Sequence, residues 1–204
     1  MTKYYAGIGS RNTPDHIQNI MTRLATKLEQ EGWILRSGGA EGADSAFERG
    51  VMRPQANAEI YLPWYKFPAK PKDPRVQPRI AGSQPQFINY QTLPTAQAAR
   101  QTVPIYNDSY VGRQDWWFDL MARNAMQILG SDLNTPSKMV IAYTPNAAKG
   151  WKNDPTDIYK RRREPSSGGT GHALRIAEAR PEIEIRNLAD PAIEYAAKRY
   201  LGLI

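Results

Sequence analysis

Short apolar runs alternate with stretches of helical spacing through the first third of the chain. Residues 3 to 8, "KYYAGI", form an apolar run closed by Gly9, which predicts a buried strand ended by a turn. "GSRNTP" follows, with Thr13 placed as an N-cap and Pro14 suited to a first helical turn. Ile17, Ile20, Met21, Leu24 and Leu28 then repeat along one helix face, and the pattern stops near Gly32. "WILR" at 33 to 36 predicts a second strand, Ala43, Ala46, Phe47 and Val51 a second helix with a stop at Gly50 or Pro54, and "AEIYLPW" at 58 to 64 a third strand. Strands and helices alternating at this length imply right-handed crossovers and a parallel sheet covered on both faces.

The rhythm breaks between residues 65 and 110, which are rich in proline and show only a short helical pattern near 94 to 102. This segment is expected as an insertion packed on the domain, because a long structureless loop is unusual inside a compact fold. Regular spacing resumes with Trp117, Leu120, Met121, Ala125 and Ile128, a helix face ending at Gly130; Trp116 and Trp117 read as packing residues, while Arg123 and Asn124 interrupt the apolar face and could reach inward. "KMVIAYT" at 138 to 144 predicts a strand inside the sheet, a polar loop spans 145 to 167, "SSGGTGHALRIAEA" leads into a helix, "EIEIRNL" gives a fifth strand and "DPAIEYAAKRYLGL" a closing helix. The expected fold is therefore one α/β domain over residues 1–204. It is a Rossmann-like three-layer αβα arrangement with a parallel sheet of about five strands in the order 3-2-1-4-5 and a proline-rich insertion at 65–110.

Composition narrows the chemistry. The 204 residues include 41% hydrophobic side chains and five tryptophans, as a globular domain does. No run approaches a membrane span and the N-terminus lacks the apolar core of a signal peptide, so a cytoplasmic protein without a membrane partner is expected. The absence of cysteine excludes disulfides, thiolate metal sites and cysteine nucleophiles; with only two histidines no metal site is expected, and no Gly-x-Ser-x-Gly elbow is present. A net charge of +7 favours an anionic partner, a phosphate-bearing molecule or a nucleic acid, over a merely solvated basic surface only when a site accompanies it.

Three strand ends carry loops of one character: "GIGSRNTP" with Gly9, Ser10 and Arg11, "RSGGAEGAD" with Ser37, Gly38, Gly39, Ala40, Gly42 and Asp44, and "SSGGTGHA" with Gly168, Gly169, Thr170, Gly171 and His172. Glycine lets a ligand approach the amides, and the free N–H groups of a helix start favour a phosphate. In an open parallel sheet these loops border a crevice at the point where strand order reverses. None has dinucleotide-fold or Walker spacing. Asp44 fits a loop organiser or helix-start acid better than a contact to ribose hydroxyls or an ion, and as an anion it repels a phosphate beside it; Glu41 reads as a surface residue. His172, in a first helical turn, is expected neutral. Arg36 could reach the crevice or turn outward, Trp64 and Tyr65 could stack on a base but fit better as cover for the sheet edge, and the basic run Lys160 to Arg163 reads as solvated loop or as a lid over phosphates.

"GIGSR", "SGGAEGAD" and "GGTG" together resemble the SLOG superfamily of Rossmann-like nucleotide-binding proteins, with DNA-processing-protein-A-like proteins of phage and bacteria as the nearest branch. The likeness covers residues 3 to 64 and 115 to 190. In the branch that releases a base from nucleoside monophosphates, the late motif reads Gly-Gly-x-Gly-Thr-x-x-Glu; this chain has His172 in the threonine position and Arg175 in the glutamate position. In the DNA-processing branch the Gly-Ser-Arg loop contacts phosphates of single-stranded DNA, and Ser10 and Arg11 match it. The convergence of three small-residue loops without a recognisable catalytic set leads to the expectation of a protein that binds a nucleotide or nucleotide-derived small molecule, its phosphates held by loop amides with Ser10, Arg11, Ser37 and Thr170, as a sensor or sequestering protein with no further cofactor required. Single-stranded nucleic-acid binding and N-glycosyl hydrolysis by a relocated acid such as Asp44 or Glu41 stand as alternatives. Catalytic residues are not assigned, and homo-oligomer formation is left open.

Overall fold

The computed structural model describes residues 2–68, 70, 72–107, 110–145 and 168–204. Along the chain these form β1 (Lys3–Gly9), α1 (Asp15–Gln30), β2 (Trp33–Ser37), α2 (Ala43–Gly50), a short α3 (Pro54–Asn57) and β3 (Ala58–Leu62). Next come the two-residue strands β4 (Lys66–Phe67) and β5 (Arg79–Ile80), then β6 (Phe87–Asn89), α4 (Ala96–Tyr106) and α5 (Asp115–Leu129). β7 (Met139–Tyr143), α6 (Gly168–Glu178), β8 (Glu184–Asn187) and α7 (Pro191–Tyr200) complete the order.

Side-chain alternation along the strands sorts the core into two layers. Tyr5, Leu35, Ile60, Leu62, Met139 and Ile141 face α1 and α2, where Met21, Leu24, Leu28 and Phe47 meet them. Ala6, Ile8, Tyr61, Val140 and Ala142 face the other way, onto Ala122, Ala125 and Met126 of α5 and Leu174, Ile176 and Ala177 of α6. The sheet is parallel throughout, in the order β6-β3-β2-β1-β7-β8. This is the doubly wound, Rossmann-like arrangement expected, and the five strands β3-β2-β1-β7-β8 keep the expected order.

Several boundaries differ from the expectation, each for a local reason. The sheet has six strands because Phe87–Asn89, inside the segment read as an insertion, pairs with β3; two apolar residues are too few to give a period. The helix near 94 to 102 runs on to Tyr106 and buries Ala99 and Val103. β3 stops at Leu62, since Pro63 has no N–H to donate to a ladder. Pro14, not Thr13, holds the N-cap position of α1, because the Thr13 hydroxyl donates back to the Ser10 carbonyl at 2.6 Å and closes the preceding loop. Residues 168–171 are the first turn of α6 rather than a loop ahead of it. The basic run 160–163 lies outside the described residues.

Strand order reverses between β1 and β7: the chain leaves β1 for β2 and β3 on one side, and leaves β7 for β8 on the other.

Candidate functional site

A cleft of about 450 Å³ opens at this reversal point. One wall is the end of β1 and its loop, with Gly9, Ser10 and Arg11; beneath it are Ala40 and Asp44. The opposite wall is α5, which presents Trp116, Trp117, Leu120, Arg123, Asn124 and Gln127, and the first turn of α6 closes the end with Gly168, Gly169 and Thr170. Eight of the residues expected from the glycine loops therefore line one space, and of the α5 wall Arg123 and Asn124 reach inward as the sequence allowed.

The loops are held by each other before they can hold anything else. Ser10 N–H donates to the Tyr143 carbonyl at 3.0 Å, which ties the loop after β1 to the end of β7, and Ala43 N–H donates to the Ser10 carbonyl at 3.3 Å. Gly42 has φ +76°, and a Cβ there would stand 2.5 Å from the carbonyl oxygens of Ser10 and Arg11. Its lack of a side chain serves contact between two loops rather than approach of a ligand.

Gly38 has a different neighbour. A Cβ on it would lie 1.1 Å from Nη1 of Arg123 and 2.7 Å from Nε2 of Gln127, so the guanidinium occupies the space a side chain would fill. Arg123 is only 5% exposed and its ion-pair partner is the equally buried Asp44, at 3.6 Å from Nη1 to Oδ2. That separation is too long for a hydrogen bond. Among the described residues, Nε and Nη1 of Arg123 and Nε2 of Gln127 have no hydrogen-bond acceptor. Burial lowers the Arg123 pKa from its ordinary value, an effect offset by Asp44, while burial raises that of Asp44, offset chiefly by Arg123 and by the Ala40 N–H at 3.3 Å. Buried donors left unmatched cost stability, so the floor of the cleft favours an acceptor beyond those the described residues supply.

The remaining expected site residues fall elsewhere. Ser37 is buried and donates to the Gly7 carbonyl at 2.7 Å, which fixes β2 against β1. Gly39, Gly42 and Gly171 do not line the cleft, and His172 turns from it into the packing of α6 on α4, edge-on to Tyr106. Burial, with Arg175 nearby, lowers the His172 pKa to about 3, so it is neutral as expected. Arg175 donates through Nε to the Tyr106 carbonyl, on the side away from the cleft. Arg36 neither reaches the crevice nor turns outward: it is buried against Glu59 and the ring of Tyr4. Glu41 accepts the backbone N–H groups of Lys72 and Asp73 and so fastens the strap between β4 and β5. Trp64 packs edge-on against Phe67 at 5.3 Å, whereas Tyr65 is exposed. Trp116, read as packing, is 52% exposed at the cleft mouth.

Gln127 and the Trp116 wall escaped the sequence reading. The usable signal was the cluster Arg123, Asn124 and Gln127 within one turn of an otherwise apolar helix that covers a sheet.

Fold and cleft together define a doubly wound α/β protein with a polar cleft at its switch point. No family model matches the chain, and no curated protein matches it in sequence. Among solved structures it is similar to DNA processing protein A from Helicobacter pylori, whose single-stranded DNA binding mode has been described. The identity is 13% over 98% of this chain and 81% of that one, and the TM-score is 0.41. Among the described residues no helix is long and apolar enough to cross a membrane.

Proposed function

We propose that the cleft binds a nucleotide or nucleotide-derived small molecule, with an anionic group on its floor and a ring against its α5 wall. The observation that carries this reading is the buried Arg123 guanidinium with Gln127 beside it, both holding donors without acceptors. Arg11 adds a second cation on the rim, and the first-turn amides of α6 add partial positive charge at the end of the cleft. Trp116 lies seven positions before Arg123 on one helix, about 10 Å along its axis, so an aromatic surface and an anion clamp stand one nucleoside apart.

Phosphate capture thus falls to side chains of α5 with Arg11, more than to the amides of the Ser-Gly-Gly loop, whose room Arg123 already fills. No nucleophile or acid–base pair is assigned, which favours a sensor or sequestering role over hydrolysis. Calorimetry against a panel of nucleoside phosphates tests the reading: saturable binding that Arg123→Met removes is expected, and a flat response across the panel would overturn it. Exposed Trp116 and Arg11 on the rim also suit a single-stranded nucleic-acid segment. Salt separates the two, since several phosphate contacts give steep weakening with added salt and one buried clamp a shallow one.

A further inference from the structure

Resting on the reading above, the geometry points to Asp44 as the specificity-determining residue of the cleft: we propose that it selects a phosphate monoester that carries its own proton over a sulfate ester or an internal phosphodiester. A carboxylate on the floor of an anion site is at first a contradiction. Asp44 is 4% exposed, lines the cleft, and stands beside the donors that would hold the anion. Among the described residues its only charged partner within 4 Å is Arg123, at 3.6 Å, and its one short-range donor is the Ala40 N–H. A carboxylate offers about four acceptor positions, so most of this acceptor capacity is unspent.

Two anions in one buried space repel strongly unless a proton lies between them. A phosphate monoester can supply it, because its second pKa lies near 6, and a P–OH group would then donate to Asp44 while the remaining oxygens accept from Arg123 and Gln127. A sulfate ester or a phosphodiester has no such proton, and meets the carboxylate as a bare anion. Arg123 from α5 and Arg79 from β5 act on Asp44, the latter itself paired with Glu48 one turn further along α2, and Arg11 acts on Arg123 from the loop after β1. They offset only part of the burial that raises the Asp44 pKa above its ordinary value, so the site favours a proton between Asp44 and its ligand, which none of these cations replaces.

The test compares the common ribonucleoside monophosphates with the matching nucleoside sulfates at about pH 6, by calorimetry, on the wild-type chain and on Asp44→Asn. The wild type should bind the phosphate at least about tenfold more tightly, the worth of one hydrogen bond to a charged group. Its preference should shrink as the pH rises past about 7 and the proton leaves. In Asp44→Asn, whose amide can donate to either anion, the ratio should fall to about unity with sulfate binding restored. Equal wild-type affinity for phosphate and sulfate overturns the role of Asp44 and leaves the nucleotide reading standing. Failure of both series to bind overturns the nucleotide reading itself. The wild-type ratio and its pH dependence stand without the variant, so a poorly folding Asp44→Asn does not decide the matter.

Discussion

Two buried arginines, one on a strand and one on a helix, are treated in opposite ways. Arg36, on β2, donates through Nε to Glu59 at 2.7 Å and through Nη1 to the Thr135 carbonyl at 2.5 Å, and its guanidinium stacks 3.7 Å above the ring of Tyr4. Arg123, on α5, has one ion-pair contact at 3.6 Å and two nitrogens without an acceptor. Both are close to fully buried, so desolvation opposes both alike. A cation whose donors are all matched ties elements together, and one with donors left over among the described residues has capacity for a further acceptor.

The two arginines should differ most in their effect on stability. Arg36→Met leaves Glu59 and a backbone carbonyl without their donor and should cost about 3 kcal/mol in denaturant unfolding, with ligand binding by the folded fraction unchanged. Arg123→Met should cost less than this, because it removes unmatched donors together with the charge and Asp44 can take up a proton, yet it should abolish binding. The reverse pattern would mean that the two roles are exchanged.

Glycine substitutions sharpen the same contrast. Gly42→Ala puts a Cβ against two backbone carbonyls at a positive φ and should cost about 2 to 3 kcal/mol of stability. Gly38→Ala meets the movable end of a side chain, so its stability cost should be smaller, while ligand affinity should drop by about tenfold or more as the guanidinium is pushed off its seat. Thermal melts and calorimetry on the pair read both quantities.

Much of the fold could be read before the structure because its cause is local. Short apolar runs and period-3.6 patterns marked β1, β2, β3, β7, α1, α2 and α5, and the alternation of strands and helices implied the parallel order. β6 was invisible, since Phe87–Asn89 becomes a strand only by pairing with β3. Part of the site could be read too: small residues at Gly9, Ala40 and Gly169 marked where backbones crowd at the strand ends. What could not be read was which glycine makes room for which neighbour. Gly38 and Gly42 look alike in "SGGAEG", but one accommodates an arginine from 85 positions onward and the other a carbonyl of the first loop. His172 shows the same limit, for a residue in a glycine-rich helix start turned into the core by the packing of α6 on α4.

That histidine supplies a pH signature separate from the cleft. With a folded pKa of about 3 against about 6.5 unfolded, its neutral form stabilises the fold fully above about pH 6.5, and this contribution is lost as pH falls toward 3. His172→Leu should flatten the stability curve over that window relative to wild type, measured by urea unfolding at several pH values. The smallest effect is expected at the mouth. Trp116→Ala should leave stability within about 0.5 kcal/mol and weaken ligand binding by about fivefold to tenfold, through loss of a stacking surface.

The unmatched floor of the cleft is tested most directly by titrating ribonucleoside monophosphates into the wild-type chain and into Arg123→Met, side by side in one calorimeter at fixed salt. Saturable binding to the wild type, absent or at least about a hundredfold weaker in a folded Arg123→Met, is the predicted result. Equal binding by the two proteins would place the ligand away from Arg123 and contradict the assignment of the cleft.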